Sequence, residues 1–253
     1  MLRGNAFLIM WHDIAPEGED DYHHWHTKQH MVERVSHPGF RRSRRGVNWD
    51  IDRQRYFTLY EGNELATFTS EDYLASLNAP MQWTNEVAPH FRNFLRCACQ
   101  VGYSAGTGVG GALTSIRGQL PEGCDEVAFL NALEPGLDRL IDQPKVGGLH
   151  VAFARRSFSD LETRETELRP VMRESEFDFV IILESYGLRE IAAISPELVS
   201  LIEQCGGLNL IARAYDMAFT IEDTDIEADA TMPRIARDAA PETRDHMRNL
   251  STA

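Results

Sequence analysis

The apolar residues of this chain come in short blocks whose spacing alternates between the strand and helix periods, and the series of blocks runs through twice. Residues 6–13 (AFLIMWHD) are almost continuously apolar and lie between Gly4 and Pro16, which predicts a buried strand. Pro16-Glu17-Gly18 turns the chain. Glu19, Asp20 and Asp21 then suit a helix N-terminus, where carboxylates meet the positive end of the macrodipole. The helix stops before His37-Pro38-Gly39. Residues 40–50 alternate poorly, but residues 55–61 (RYFTLYE) are a clearer strand, with residues 50–54 as a hairpin connection. Ser70 to Leu77 starts a second helix, interrupted at Pro80. Residues 81–94 continue helically, with a break at Pro89, and residues 95–103 (LRCACQVGY) form a fourth strand. The order β-α-β-β-α-β is the split ferredoxin-like arrangement.

The second half repeats that order. Pro121-Glu122-Gly123-Cys124-Asp125 answers Pro16-Glu17-Gly18-Glu19-Asp20, each time after a strand and before a helix. Residues 112–118 predict a strand and residues 125–142 a helix interrupted by Pro135-Gly136. Residues 148–155 and 177–185 predict strands separated by a charged insertion at 156–176. Ser195 caps a helix over 196–204, and residues 208–221 close the unit. The chain therefore divides into an N-terminal unit over 1–104, a Gly-rich linker over 105–111, a C-terminal unit over 112–222 and a polar tail over 223–253. Gly106, Gly108 and Gly111 match a GxGxxG spacing. A dinucleotide loop must open a helix, and a strand follows here, so the linker reading stands.

Composition narrows the classes. The 253 residues are 43% hydrophobic and 25% charged, as in globular proteins, and the net charge of −14 argues against nonspecific nucleic-acid binding. No apolar run reaches the roughly 18 residues of a membrane span, and the N-terminus lacks a signal peptide's apolar length and cleavage site. Cys97, Cys99, Cys124 and Cys205 show no CxxC spacing, which fits reduced cysteines in a cytoplasmic protein.

The chemistry concentrates in residues 19–40. His23, His24, His26, His30 and His37 crowd one helix and its turn, and histidine titrates nearest neutrality. At about 100° per residue, Trp25, Val32 and Val35 share the core side, His26, His30 and His23 cluster on the flank between core and solvent, and His24 points nearly opposite. His26 and His30 could reach one metal ion. However, Thr27-Lys28-Gln29 between them supplies neither an acidic ligand nor the glutamate of a zinc-protease motif, so no metal is expected. The first helix of the second unit (DEVAFLNALEPGLDRLIDQ) holds no histidine, which assigns any chemistry mainly to the N-terminal unit.

The segment Asp20-Asp21-Tyr22, Trp25, His30 and Pro38-Gly39-Phe40 resembles the first helix of the dimeric α+β barrel superfamily, within it the EthD-like and related small-domain families. The resemblance implies an α+β fold: two tandem ferredoxin-like βαββαβ units packed as a dimeric-type α+β barrel, with each pocket between a sheet and its helices and a further homodimer possible. It places His30 at the family's helix histidine and His26 where an aromatic is frequent. His12 stands where some members project a pocket histidine, provided that Leu8, Met10 and His12, and not Phe7, Ile9 and Trp11, face the helices.

These readings converge on an enzyme with His30, His12 and His26 as general acid and base, acting on a small aromatic, phenolic or polyketide-like carbonyl compound. The expected chemistry is of lyase, isomerase or cyclase type, with no cofactor. Tyr22, Trp25, Tyr56 and Trp83 are expected to line the substrate site, with Arg42 and Arg44 holding a carboxylate or phenolate. Small molecules are the expected partners, without nucleic acid or membrane. The alternatives are a ligand-binding or stress-response module without turnover, a cofactor-free monooxygenase, and a haem protein. In the chlorite dismutase-like group the axial histidine belongs to the C-terminal unit, which leaves only His150 and His246 for that role.

Overall fold

Both faces of the first strand, β1 (Ala6–Ile14), are buried, and this double burial explains its unbroken apolar run. Phe7, Ile9 and Trp11 point to the axis of a barrel, while Leu8 and Met10 point to an outer layer of helices. The computed structural model describes residues 1–170 and 176–227. After β1, a 3-10 turn leads into α1 (Glu19–Trp25), a π-helical turn (His26–His30) and α2 (Met31–Val35), all one continuous rod. Gly39 adopts a φ of +90°, a conformation favoured by glycine, and redirects the chain into β2 (Phe40–Val47). Then come β3 (Tyr56–Gly62), α3 (Glu71–Asn78), α4 (Gln82–Val87) and β4 (Phe91–Gly106). The second unit comprises β5 (Ala112–Gln119), α5 (Glu126–Ile141), β6 (Gly148–Ala154), α6 (Arg164–Glu167), β7 (Phe179–Ser185), α7 (Leu188–Gln204) and β8 (Leu208–Glu222). A helical turn, α8 (Asp223–Glu227), ends the described chain, and residues 228–253 of the expected tail lie outside it.

The eight strands close into an antiparallel barrel in the order β1-β3-β2-β8-β5-β7-β6-β4. Each unit keeps its own ferredoxin-like sheet, β4-β1-β3-β2 and β8-β5-β7-β6, and the sheets join where β2 pairs with β8 and β4 with β6. The long strands β4 and β8 make this possible: the first part of β4 pairs with β1 and its last part with β6. Closure leaves no unpaired sheet edge. Trp11 Nε1 donates to Ser115 Oγ at 2.9 Å across the axis, linking the two units.

Several local expectations shift. Residues 91–94, expected at a helix end, begin β4, and Ala105 and Gly106 of the expected linker finish it. Pro135 sits inside an unbroken α5, held by the stripe Phe129, Leu133, Leu137 and Leu140. Helix α7 starts after Gly187, so Ser195 lies within it and is not its N-cap; the apolar series Ile191, Ile194, Leu198 and Ile202 extends the helix past Pro196.

Candidate functional site

The π turn decides what the histidine helix presents. In a regular α-helix, residues five apart lie about 140° apart around the axis. Here the wider turn over His26–His30 brings Trp25 and His30 to the same side, with ring centroids 4.1 Å apart and planes 28° from parallel. The stack continues as His30 on His26 (5.6 Å) and His26 on Tyr22 (5.1 Å). His24 and Lys28 face solvent, and His23 is half-buried beside the Tyr56 hydroxyl.

The sheet supplies the floor. Strand register sets Arg45, Thr58, Met10 and Arg96 in one row across β2, β3, β1 and β4, and Tyr56 beside His12 in the next. His12 therefore belongs to the helix-facing set. It is buried, its Nε2 lies 2.9 Å from the Tyr22 hydroxyl, and its ring stacks on Tyr56. Met10, His12, Trp25, His26, His30, Thr58, Tyr60, Phe91 and Phe94 enclose a cavity of about 20 Å³, room for about one water.

Polar groups on the wall of this cavity, and Ser43 and Arg45 on the same helix-facing side of β2, are left without partners. Nδ1 of His12, His26 and His30, the hydroxyls of Ser43, Thr58 and Tyr60, Nη1 of Arg45 and Nε of Arg169 are all buried without a hydrogen-bond partner. Buried polar groups are ordinarily paired, so a concentration of unpaired ones in one layer marks a place built for a polar occupant. Burial, then the guanidinium charges, keeps the imidazoles neutral. His12 is pushed down to about 3 by desolvation with Arg169 and Arg45. His26 falls well below its ordinary value through desolvation, Arg45 and His30, and His30 does so through desolvation, Arg34 and Arg169. Burial also raises the Tyr22 and Tyr60 phenols, which stay protonated.

The second unit completes the enclosure. The insertion between β6 and β7 carries α6 across the barrel joint, buries Glu165 and lays the partly exposed Arg169 over the histidines. Glu165 pairs with Arg34 of α2 and, at 2.6 Å, with Arg169; the Arg169 guanidinium lies 4.4 Å over the Phe94 ring. Arg34 and Arg169 outweigh the burial cost and hold the Glu165 carboxyl below its usual range. Arg169 also lines an open crevice of about 500 Å³ and a second small cavity beside Arg34 and Tyr73, so it stands between outside and inside.

Of the residues singled out from sequence, His12, His26, His30 and Trp25 line the cavity, with Tyr22 and Tyr56 behind His12. Trp83 stays outside it, donating to Asp21 at 3.1 Å. Arg42 and Arg44 lie on the opposite face of the sheet. In the barrel interior, Arg42 pairs with Glu61 at 2.8 Å, and Arg44 pairs with Glu61 at 2.9 Å and Glu184 at 2.8 Å. Strand alternation separates them from the histidines and turns Arg45 to the helix side instead. Sequence reasoning misses Arg34, Arg45, Thr58, Tyr60, Glu165 and Arg169. A shift of one residue from Arg44 to Arg45 requires the strand's phase, and the insertion offers only its charge density.

Among the described residues, no group of three or more His, Cys, Asp or Glu side chains is placed to hold a metal ion. No helix there is long and apolar enough to cross a membrane. The described residues do not fit a haem. His150 faces the barrel interior, where Ser104 lies 2.8 Å from Nδ1 and Glu184 3.3 Å from Nε2, while the sheet–helix layer of its unit is filled with apolar side chains. The N-terminal cavity is far smaller than a macrocycle, and His246 lies outside the described residues.

No sequence-family model and no curated protein matches the chain. Solved structures do. An anthrone oxidase-like protein superposes with a TM-score of 0.60 at 13% identity, covering 86% of this chain and 92% of its own. A candidate monooxygenase from Fusobacterium nucleatum gives 0.57 at 10% identity, with 87% and 96% covered. A chlorite dismutase variant from Candidatus Nitrospira defluvii gives 0.53 at 9% identity, with 85% and 90% covered. At these identities the likeness shows the fold alone. Together with the closed eight-stranded barrel, it shows the fold: an α+β barrel of the dimeric type, with its two ferredoxin-like halves carried on one polypeptide.

Proposed function

We propose that this chain is a cofactor-independent enzyme that transfers protons on a small aromatic, phenolic or polyketide-like carbonyl compound, with imidazoles as both base and donor. The observation that carries this reading is the enclosed cavity on which His12, His26 and His30 converge, each with an unpartnered Nδ1. Their roles follow from their neighbours. The buried Tyr22 hydroxyl has no other acceptor among the described residues, so it donates to His12 Nε2. That fixes the His12 proton on Nδ1 and makes the ring a neutral hydrogen-bond donor toward a substrate oxygen. His30 is the base. Its ring lies flat on Trp25, whose π face stabilises the imidazolium formed when His30 takes a proton. His26, stacked on His30, shares that charge as a relay, and mutual repulsion limits the pair to one added proton.

Arg34 and Arg169 make the surroundings electropositive. They disfavour a resting imidazolium, and they stabilise an enolate or phenolate as it develops. Proton abstraction beside a carbonyl, with return of the proton elsewhere, is the step common to isomerases, cyclases and many lyases. A substrate larger than water reaches the cavity from the crevice by displacing Arg169.

Hydrogen–deuterium exchange tests the first step whatever the final product is. The chain is expected to accelerate exchange of the acidic carbon-bound hydrogens of aromatic 1,3-diketones in heavy water, followed by NMR. His30→Gln is expected to lose about 10² to 10⁴ of that acceleration with the fold retained. Exchange at the uncatalysed rate with ligand still bound would leave a binding module. The anthrone oxidase-like and candidate monooxygenase neighbours favour a second reading, in which the same carbanion passes electrons to dioxygen. Oxygen uptake that depends on both substrate and His30 separates the two.

A further inference from the structure

We infer that the ligand of this cavity enters already carrying a negative charge, and that the Arg45 guanidinium, with the Thr58 hydroxyl beside it, holds its carboxylate or phenolate oxygen. The inference rests on the reading of the cavity as a site for an aromatic compound and names the class of compound it takes.

Arg45 is 8% exposed, its Nη1 is buried without a partner, and no carboxylate among the described residues is paired with it. Its neighbours in the strand make the contrast. Arg42 and Arg44 are equally buried, and each is neutralised by carboxylates in the barrel interior. A buried guanidinium without a counter-charge is costly, and the protein has placed one on the helix side of the same strand. Glu165, the carboxylate that lines the cavity, is already held by Arg34 and Arg169, and no other described carboxylate compensates Arg45.

The surroundings match an oxyanion. Thr58, directly opposite Arg45 in the β2–β3 register, lines the cavity with a free hydroxyl, and Ser43 and Tyr60, the next pair in phase, also carry unpartnered hydroxyls. Each of these groups can donate. Guanidinium and hydroxyl donors on one face suit planar anionic oxygens, and the aromatic rings of Trp25, Phe91 and Phe94 around the same space suit a ring attached to them. The effect of Arg45 on His12, His23 and His26 shows that its charge reaches this space.

Isothermal titration of the whole chain with salicylate and with its neutral counterpart, salicylamide, tests the inference without any turnover. Salicylate is expected to bind at least tenfold more tightly. In Arg45→Gln that preference is expected to vanish through loss of salicylate affinity alone, while Arg45→Lys, which keeps the charge without the planar fork, retains part of it. Thr58→Val is expected to weaken salicylate severalfold. If Arg45→Gln does not fold, the wild-type preference and Arg45→Lys carry the test. Equal binding of the two probes by the wild type, or a preference that survives Arg45→Gln, would overturn the role of Arg45 and leave the aromatic site standing. Binding of neither probe by the folded chain would overturn both.

Discussion

Between the second sheet and its helices α5 and α7, the space is filled by Phe129, Leu133, Leu137, Leu140, Ile191 and Leu198. Between the first sheet and its helices, the equivalent space holds His12, His26, His30, Arg45, Thr58 and Tyr60. One topology thus supports a layer that is apolar and another crowded with unpartnered polar atoms. Among the described residues, Ser195 Oγ on α7 is the counterpart in the second helix layer, against at least eight such atoms in the first. Buried unsatisfied groups cost stability, so the first layer is retained at the expense of the fold. The second unit supports it twice, with a rigid half-barrel and with the insertion that lays Glu165 and Arg169 over the cavity. The polar layer sits in one unit, and the other closes it.

The contrast can be broken most forcefully at its link. Glu165→Ala leaves the buried Arg34, and Arg169 beside it, without their counter-charge and is expected to cost about 3–5 kcal/mol, read by denaturant unfolding. A loss under about 1 kcal/mol would mean that the insertion does not hold the layer closed. Leu137→Ala in the apolar layer opens a cavity and is expected to cost about 2–5 kcal/mol with proton exchange unchanged. His26→Leu reverses both signs. Removing an unpartnered Nδ1 in favour of an apolar side chain is expected to stabilise by up to about 1–3 kcal/mol while slowing exchange. Destabilisation by His26→Leu would show that His26 is a structural histidine.

The apolar layer is the more legible of the two. Its β-α-β-β-α-β order and the missing histidine of the second unit follow directly from period and composition, although α5 runs unbroken through the Pro135-Gly136 at which the sequence suggests an interruption. In the first unit the clustering of His23, His26 and His30 is visible in the sequence, but their geometry is not. At a uniform 100° per residue, Trp25 and His30 fall on opposite flanks, whereas the π turn stacks them. Nothing in Thr27-Lys28-Gln29 announces that turn. The phase of β1 is open because both faces are apolar, and only the closed barrel explains why both must be. The same ambiguity on β2 hides that Arg45 faces the helices while Arg42 and Arg44 face the barrel interior. Glu165 and Arg169 lie more than a hundred residues from the histidines, and no local pattern joins them.

The smallest expected effect, and the one most specific to the polar layer, is its response to acid. A histidine held neutral by burial has a folded-state pKa below its unfolded value of about 6.5, so between the two the unfolded chain binds the extra proton. Stability is then fully present above about pH 6.5 and falls as pH drops, by up to about 1.4 kcal/mol per pH unit for each such group. His12, His26 and His30 contribute, and so do His23 and His150, whose values are also lowered by burial. Glu165 and Glu184, held low by their arginines, add a loss of the same sign only below about pH 4.5, so the window from about 6.5 to 5 belongs to the histidines. Unfolding free energies in that window are expected to rise with pH, and the slope is expected to be shallower in His26→Leu by up to one proton's worth. Leu137→Ala should lower the curve without changing its slope. A slope identical in all three proteins would mean that His26 takes up a proton as readily in the folded chain as in the unfolded one, and would overturn the neutral, enclosed histidine layer.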